Sequence, residues 1–147
     1  MLTPTLPFLT GVAANMIAGL LTSVKVGLFT NTPTLGRATV LSDLTQPTFT
    51  GYAEQAVTWG AAGEDNLGNI IYTGGLLTFQ PSATTALPQT ATGWYIEASI
   101  AMTETLLLAE YLPSPYTFNG TLDQLSLAPT FVTPNQNVWG DATVVGV

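Results

Sequence analysis

The sequence contains no histidine and no cysteine, and its two basic residues are Lys25 and Arg37. Without histidine the chain lacks the side chain that titrates nearest to neutral pH and that acid–base catalysis uses most often. Without cysteine it has no thiolate nucleophile, no zinc–thiolate site and no disulfide. Two cations cannot neutralise the run of phosphates on which nucleic-acid affinity depends. We therefore expect no enzymatic activity, no metal or other cofactor, and no binding to nucleic acid.

Charge of either sign is scarce, because charged residues make up 7% of the 147 residues, against about 25% in ordinary globular proteins. The net charge of −7 also argues against an anionic membrane surface as a partner. Hydrophobic residues, at 46%, suffice for a core, and 25 threonines supply polar surface. Low charge weakens the self-repulsion that keeps proteins monomeric. We expect a single domain that forms a homo-oligomer, most simply a homotrimer.

The first ten residues combine two prolines with apolar side chains and carry no charged side chain. The prolines exclude a helix interior and favour an extended path. Two interpretations stay open: a strand or tail packed on its own domain, or an arm that docks on a neighbouring subunit. In the second, the residues that bind the partner are Leu2, Pro4, Leu6, Pro7, Phe8 and Leu9. No positively charged start precedes the apolar stretch that follows, so we expect no secretory signal.

Residues 11–22 are predicted to form one short helix, since Thr10 can cap it and apolar residues recur at helical spacing. From Val24 onward, alternation and Gly/Pro/Asn punctuation predict short β-strands. Thr92–Ala101 and Thr105–Tyr111 are predicted to pair as an antiparallel hairpin. The fold class is therefore all-β: an antiparallel jelly-roll-like β-sandwich or barrel spanning residues 11–147, with the helix and an extended arm, residues 1–10, at its N-terminus.

Several local predictions accompany this fold. The first strand, from Val24 to Phe29, is expected to be half-buried. Gly74 and Gly75 are expected to form a two-residue hairpin turn or a bulge. A turn is expected where the two prolines of 113–115 fall, and a last strand near 142–147.

The nine acidic residues are the only candidates for catalysis. Glu97 could meet Glu104 or Glu110 across the hairpin as a carboxylate pair of a glycoside hydrolase. The competing interpretation, which we prefer, is that these are solvated or edge-facing acids that suppress aggregation. The segment Glu64–Asn69 has the composition of half a calcium loop but lacks its order and its distal Glu, so a β-turn is expected.

Exposed aromatic residues on a β-sandwich could instead bind sugars by stacking, although a Trp in an alternating strand is more often part of the core. The candidates are Tyr52, Trp59, Trp94 and Trp139. No base is present to activate the many Ser and Thr hydroxyls, no Gly-x-Ser-x-Gly elbow occurs, and no phosphate loop follows the paired glycines.

Read in order, a set of segments resembles a family of small tailed-phage virion proteins that includes head decoration or cement proteins. The matching segments are Val26–Asn31 with Thr32–Thr34, Thr39–Thr45, Phe49–Ala53, Val57–Trp59, Gly93–Ile96, Leu106–Tyr111, and Asn119–Leu125 leading to Pro129. Similar proteins tend to carry an acid after the aromatic strand, whereas Ala98 follows Glu97 here.

The resemblance implies a virion structural protein on the outer surface of the capsid, bound to the major capsid protein as a symmetric oligomer, commonly a trimer. It implies no catalytic residues. The alternatives from other classes are a carbohydrate-binding module on a phage tail or fibre, and a carboxylate-pair glycoside hydrolase.

Overall fold

The computed structural model describes residues 23–133, and in that range the secondary structure consists of β-strands and one 3₁₀ turn, Leu41–Asp43. The strand pairs are antiparallel. The all-β class predicted from the sequence is therefore confirmed. The strands are β1 (Lys25–Phe29), β2 (Gln55–Ala56), β3 (Gly63–Glu64), β4 (Ile70–Thr73), β5 (Leu77–Phe79), β6 (Gln89–Ile100), β7 (Thr103–Phe118), β8 (Leu125–Leu127) and β9 (Thr130–Thr133).

Three sheets are built from these strands. The largest has the order β2-β1-β6-β7, and smaller ones have the orders β3-β4-β9 and β5-β8. The predicted hairpin is present as β6 and β7, 12 and 16 residues long, joined by Ala101 and Met102. This hairpin supplies half of the strands of the main sheet. It carries Tyr95 and Glu97 in β6 and Glu104 in β7.

One face of the main sheet packs on the β5–β8 pair and forms the larger core. The alternation in β6 predicts that Trp94, Ile96 and Ala98 share one face. This is confirmed, since Ile96 and Ala98 are buried in this core and Trp94 packs against it. Its buried residues are Val24, Val26, Leu28, Phe49, Val57, Leu77, Phe79, Ala91, Ile96, Ala98 and Phe118.

The opposite face of the sheet is buried as well, so the prediction of a half-buried first strand is wrong. Phe29 and Tyr95 form a second cluster with Leu44, beneath the segment that leads from β1 to β2. The Asn31 side chain holds that segment in place, because its Nδ2 donates to the Asp43 carbonyl at 2.7 Å and its Oδ1 accepts from the Thr45 amide at 2.9 Å. Buried on both faces, β1 has the sequence of a core strand.

Aromatic rings lie on glycines at two alternate pairs of the β1–β6 ladder, which share one face of the sheet. Gly27 pairs with Tyr95, and Phe29 pairs with Gly93. A Cβ added to Gly27 would overlap the Tyr95 ring, and one added to Gly93 would overlap both the Phe29 ring and the Glu110 carbonyl. The missing side chains therefore create the space in which the rings pack flat on the sheet, an arrangement known to stabilise glycines in strands.

Two predicted turns are absent: the hairpin turn, one of two alternatives at Gly74 and Gly75, and the turn at residues 113–115. Gly74 and Gly75 do not turn a hairpin, since β4 pairs with β3 and β9 while β5 pairs with β8 in another sheet. Gly74 lies so close to Val57 and Pro129 that no side chain would fit, and its amide donates to the Pro129 carbonyl at 2.7 Å. The chain uses these glycines to pass between sheets.

The segment of residues 113–115 does not turn the chain either, because β7 continues through it to Phe118. The register shifts there: Ala91 pairs with Tyr116 and Gly93 with Tyr111, so four residues of β7 lie opposite Thr92 alone. The two prolines sit in this wide bulge at the outer strand of the sheet, where a missing amide hydrogen breaks no ladder bond.

Three sequence predictions fall outside the described residues: the arm of residues 1–10 with its six partner-binding positions, the helix of residues 11–22 and the strand of residues 142–147. They stay predictions.

The ring-on-glycine packing predicts that Gly93→Ala lowers the free energy of unfolding by about 1–3 kcal/mol, because the new methyl group overpacks the sheet. Urea denaturation followed by Trp fluorescence measures the change. Gly36→Ala is the matched control, since a Cβ there meets no atom within 4 Å and Gly36 is absent from the glycines with positive φ. We expect it to stay within about 0.5 kcal/mol of the wild type. Equal stabilities of the two variants would contradict this account of the sheet.

Candidate functional site

Glu97 is the one charged side chain that is fully buried among the described residues, with 1% of its surface exposed. It lies in β6 on the same face as Tyr95 and pairs with Lys25 across the ladder. Burying a carboxylate without compensation costs many kcal/mol, so its neighbours decide its charge. The expectation of a solvated or edge-facing acid is wrong for this residue, because the segment from β1 to β2 covers this face.

Lys25 bridges Glu97 and a second acid on the next strand. Its Nζ lies 3.7 Å from Glu97 Oε1 and 3.7 Å from Glu104 Oε1, and both Lys25 and Glu104 are partly exposed. The three residues join β1, β6 and β7 at the end of the sheet where the hairpin turns. The structure thus brings Glu97 and Glu104 together, as considered from the sequence, but through a shared cation.

Glu54 approaches Glu97 from the other side. Its Oε1 accepts the Tyr95 hydroxyl proton in a short hydrogen bond and also accepts from Gln46 Nε2 at 2.9 Å. Glu97 Oε2 finds no hydrogen-bond partner among the described residues, since its neighbour Glu54 is itself an acceptor. Only a protonated Glu97 can donate to Glu54, so the two carboxyls can share one proton.

Burial, a hydrogen bond with Glu54 and repulsion from Glu54 and Glu104 raise the pKa of Glu97 to about 7, although the Lys25 ammonium acts in the opposite direction. The adjacent phenols stay neutral. Burial raises the pKa of Tyr52 to about 12, and burial together with the bond to Glu54 raises that of Tyr95 well above its ordinary value. The Tyr52 hydroxyl donates to the Leu28 carbonyl and accepts from its amide.

An elevated carboxyl pKa is common in active sites, but this group is closed off. A glycosidase needs both carboxyls in contact with the sugar, and Glu97 has no surface on which a sugar could lie. Glu110, the alternative partner, pairs with Trp94 and is exposed on the opposite face of the sheet. The arrangement can bind and release a proton as the protein folds, and it does not present one to a substrate.

The remaining sequence candidates are structural in their contacts. Tyr52, Trp59 and Trp94 pack against the larger core, as expected for aromatic residues in strands, and Trp139 falls outside the described residues. The turn predicted over Glu64–Asn69 is present. The Asn69 side chain donates from Nδ2 to Asp65 Oδ2 at 2.6 Å, and Asp65 Oδ1 accepts from the amides of Asn69 and Leu67. These bonds, the side-chain bond first, lower the pKa of Asp65.

No group of three or more acidic side chains within residues 23–133 is arranged to hold a metal ion. Over the same residues, no helix has the length and apolar character needed to cross a bilayer.

The most unusual exposed surface is the hairpin of β6 and β7. Its two-residue turn places Ala101 and Met102 at positive φ, 50° and 65°, and Met102 is 99% exposed. Such turns favour Asn-Gly, because other residues are strained at positive φ. Ile100, Leu107 and Leu108 add exposed apolar surface along the same hairpin.

Comparison with protein-family models, curated proteins and solved structures finds no match for this chain. Sequence reasoning did not identify Lys25 and Glu54 as neighbours of Glu97. One signal was available: in a chain with so few charges, Lys25 and Glu97 both lie at alternate positions opposite the core residues of predicted strands, where a cross-strand ion pair can form.

The raised pKa of Glu97 predicts how stability depends on pH. Between about 4.5, its ordinary value, and about 7, the folded protein holds a proton that the unfolded chain releases, so the free energy of unfolding falls as pH rises through this window. The slope is at most about 1.4 kcal/mol per pH unit for one proton. Glu97→Gln keeps a donor for Glu54 and cannot titrate, so its curve should be flatter and its stability at pH 8 higher than that of the wild type.

Urea titrations at a series of pH values measure this difference. Glu110→Gln is the matched control, because it removes an exposed acid from the same sheet, and it should keep the wild-type slope. An unchanged slope in Glu97→Gln would show that the buried carboxyl does not bind the proton.

Proposed function

We propose that this protein is a structural component of a phage virion: a decoration or cement protein that binds the major capsid protein on the outer surface of the head and stabilises the lattice. The resemblance set out above supports the virion assignment. The scarcity of charge and of catalytic side chains supports a role in assembly. The proposal includes a homotrimer, a jelly-roll-like sandwich or barrel as the complete fold, and the helix and arm of residues 1–22.

The observation that carries this proposal is the exposed apolar tip of the β6–β7 hairpin. Met102 is 99% exposed although burying its side chain would contribute about 1.5–3 kcal/mol. Its flexible thioether adapts to an irregular partner surface. Behind it β6 pairs with β7, and the bridge of Lys25 to Glu104 ties the turn end of β7 to β1. An exposed Met side chain at the end of a paired hairpin is suited to docking into a pocket of a partner.

The alternatives have less support. A carbohydrate-binding module needs aromatic faces open to sugars, whereas Trp59 and Trp94 pack against the core. A carboxylate-pair hydrolase needs an accessible pair, and Glu97 is closed off. No observation favours either of them over assembly.

Exchange of the turn residues separates docking from folding. The double variant Ala101→Asn, Met102→Gly keeps a turn with two positive φ angles and removes the exposed thioether. We expect it to be as stable as the wild type or more so, because it relieves strain. It should bind undecorated capsids at least about tenfold more weakly, in line with the loss of one buried Met side chain.

Cosedimentation with capsids and thermal unfolding give the two readouts. Leu122→Ala is the control, since Leu122 is 88% exposed outside the hairpin and its removal should leave capsid binding unchanged. Wild-type binding by the turn variant would remove the main support for this docking site.

The ratio of this chain to the major capsid protein in purified virions tests the head assignment, since only a head protein is present in a fixed, high proportion.

The arm is tested by deleting residues 1–10. Pro4 and Pro7 restrict the chain before binding, which reduces the entropy lost on docking. The truncated protein should keep its melting temperature within a few degrees and attach to capsids more weakly, because several arms per oligomer act together. Early unfolding of the truncated protein would instead indicate that these residues pack on their own domain.

A further inference from the structure

The outer edge of β7 is open. This strand is the last in the order β2-β1-β6-β7, and no strand within residues 23–133 pairs with its other side. An open edge presents a row of unpaired amides and carbonyls, which proteins usually protect with prolines or lysines. Thr103–Tyr111 contains neither, its charged residues being Glu104 and Glu110 near its two ends, and the prolines of β7 lie beyond it, in the wide bulge. Among the described residues, the outer side of these nine residues has no strand partner.

The surroundings of this edge combine exposed leucines with one cation that has no ion-pair partner among the described residues. Leu107 and Leu108 are 37% and 44% exposed. Beside them a cleft of about 160 Å³ separates β7 from the segment that contains Leu35, Arg37 and Thr39. Arg37 makes no ion pair with any described residue. A partner that fits here supplies an extended strand, apolar side chains and a carboxylate.

We infer that the occupant is β7 of a second copy of this chain, paired antiparallel so that two four-stranded sheets continue across a two-fold axis. The same strand supplies what the edge requires, since it carries Leu107 and Leu108 between Glu104 and Glu110. An isologous contact of this kind closes after two copies. The inference does not depend on the proposed function, because it concerns the chain alone.

The register follows from the pairing of β7 with β6. Ile96 pairs with Leu108 and Glu97 with Leu106, so Leu107 is an extra residue at which the alternation of faces shifts. If Leu107 pairs with Leu108 of the second copy, residues on the same face meet. No acid then faces another acid: each Glu104 lies opposite Tyr111 of the other copy, each Glu110 opposite Thr105, and each Leu106 opposite Ala109.

Charge supports the same partner. Leu35, two residues before Arg37, packs on the face of β7 that includes Leu106 and Ala109. Glu104 lies on that face as well, two positions from Leu106, so in this register Glu104 of the second copy lies on the same face as Arg37 and can pair with it. Because the contact is two-fold, this pairing occurs twice.

Sedimentation equilibrium of the full chain over a concentration series tests the inference. We expect association into an even number of copies, a dimer or, if trimers form through another surface, a hexamer. Leu108→Lys should halve that mass by charging the edge. Arg37→Glu should weaken association about tenfold, and Arg37→Glu with Glu104→Arg should recover it. Leu122→Lys, which charges a more exposed leucine outside β7, should change nothing.

Hydrogen exchange distinguishes strand pairing from contact of side chains alone. The amides of Thr103–Tyr111 should become protected as concentration rises. Protection that is already complete in the dilute monomer would show that another part of the same chain covers the edge, and would overturn the inference. So would a mass that Leu108→Lys leaves unchanged. Failure of the charge exchange to recover association would overturn the register.

Discussion

The packing of Tyr95 on Gly27 and of Phe29 on Gly93 is the constraint on which the rest of this structure depends. Because the rings occupy the space of the absent side chains, the second face of the main sheet is thin enough for the segment after β1 to close over it. That closure buries the sheet on both sides and separates it into two clusters. A sheet of this kind tolerates little variation in side-chain volume along the β1–β6 ladder.

The buried acid is a consequence of the same closure. Glu97 continues the row of Tyr95 along β6, and the segment that covers the ring also covers the carboxyl. Lys25 compensates one oxygen and leaves the other without a donor. A proton held between Glu97 and Glu54 reduces the cost of desolvating the carboxyl. Folding is thereby coupled to pH, although the site is closed to solutes.

The sequence predicted those features that depend on local periodicity. Alternation identified β1 and the hairpin, and it separated Ile96 and Ala98 from Tyr95 and Glu97 correctly, because successive side chains of a strand point to opposite faces. The turn at Asp65 follows from the hydrogen bonds that Asp makes with its own following backbone.

What the sequence did not predict depends on distant contacts. The burial of Glu97 requires knowing that residues some 40 positions earlier fold over it, and the passage of Gly74 between sheets requires knowing that Pro129 lies beside it. Pro113 and Pro115 suggested a turn because sequence alone does not reveal which strand lies at the edge of a sheet. The approach of Glu54 to Glu97 is a distant contact of the same kind, because the alternation of residues around Glu54 does not show what this segment packs against.

The two basic residues, Lys25 and Arg37, differ in how accessible they are to a trypsin-like protease. Trypsin-like enzymes cut after Lys or Arg and need accessible backbone around the bond, which exposed loops provide and paired strands do not. Lys25 is held in the ladder between β2 and β6, whereas Arg37 lies in an exposed turn. The folded body thus presents one bond, Arg37–Ala38, to such enzymes. Cleavage of the folded body by such an enzyme should therefore begin at this one bond.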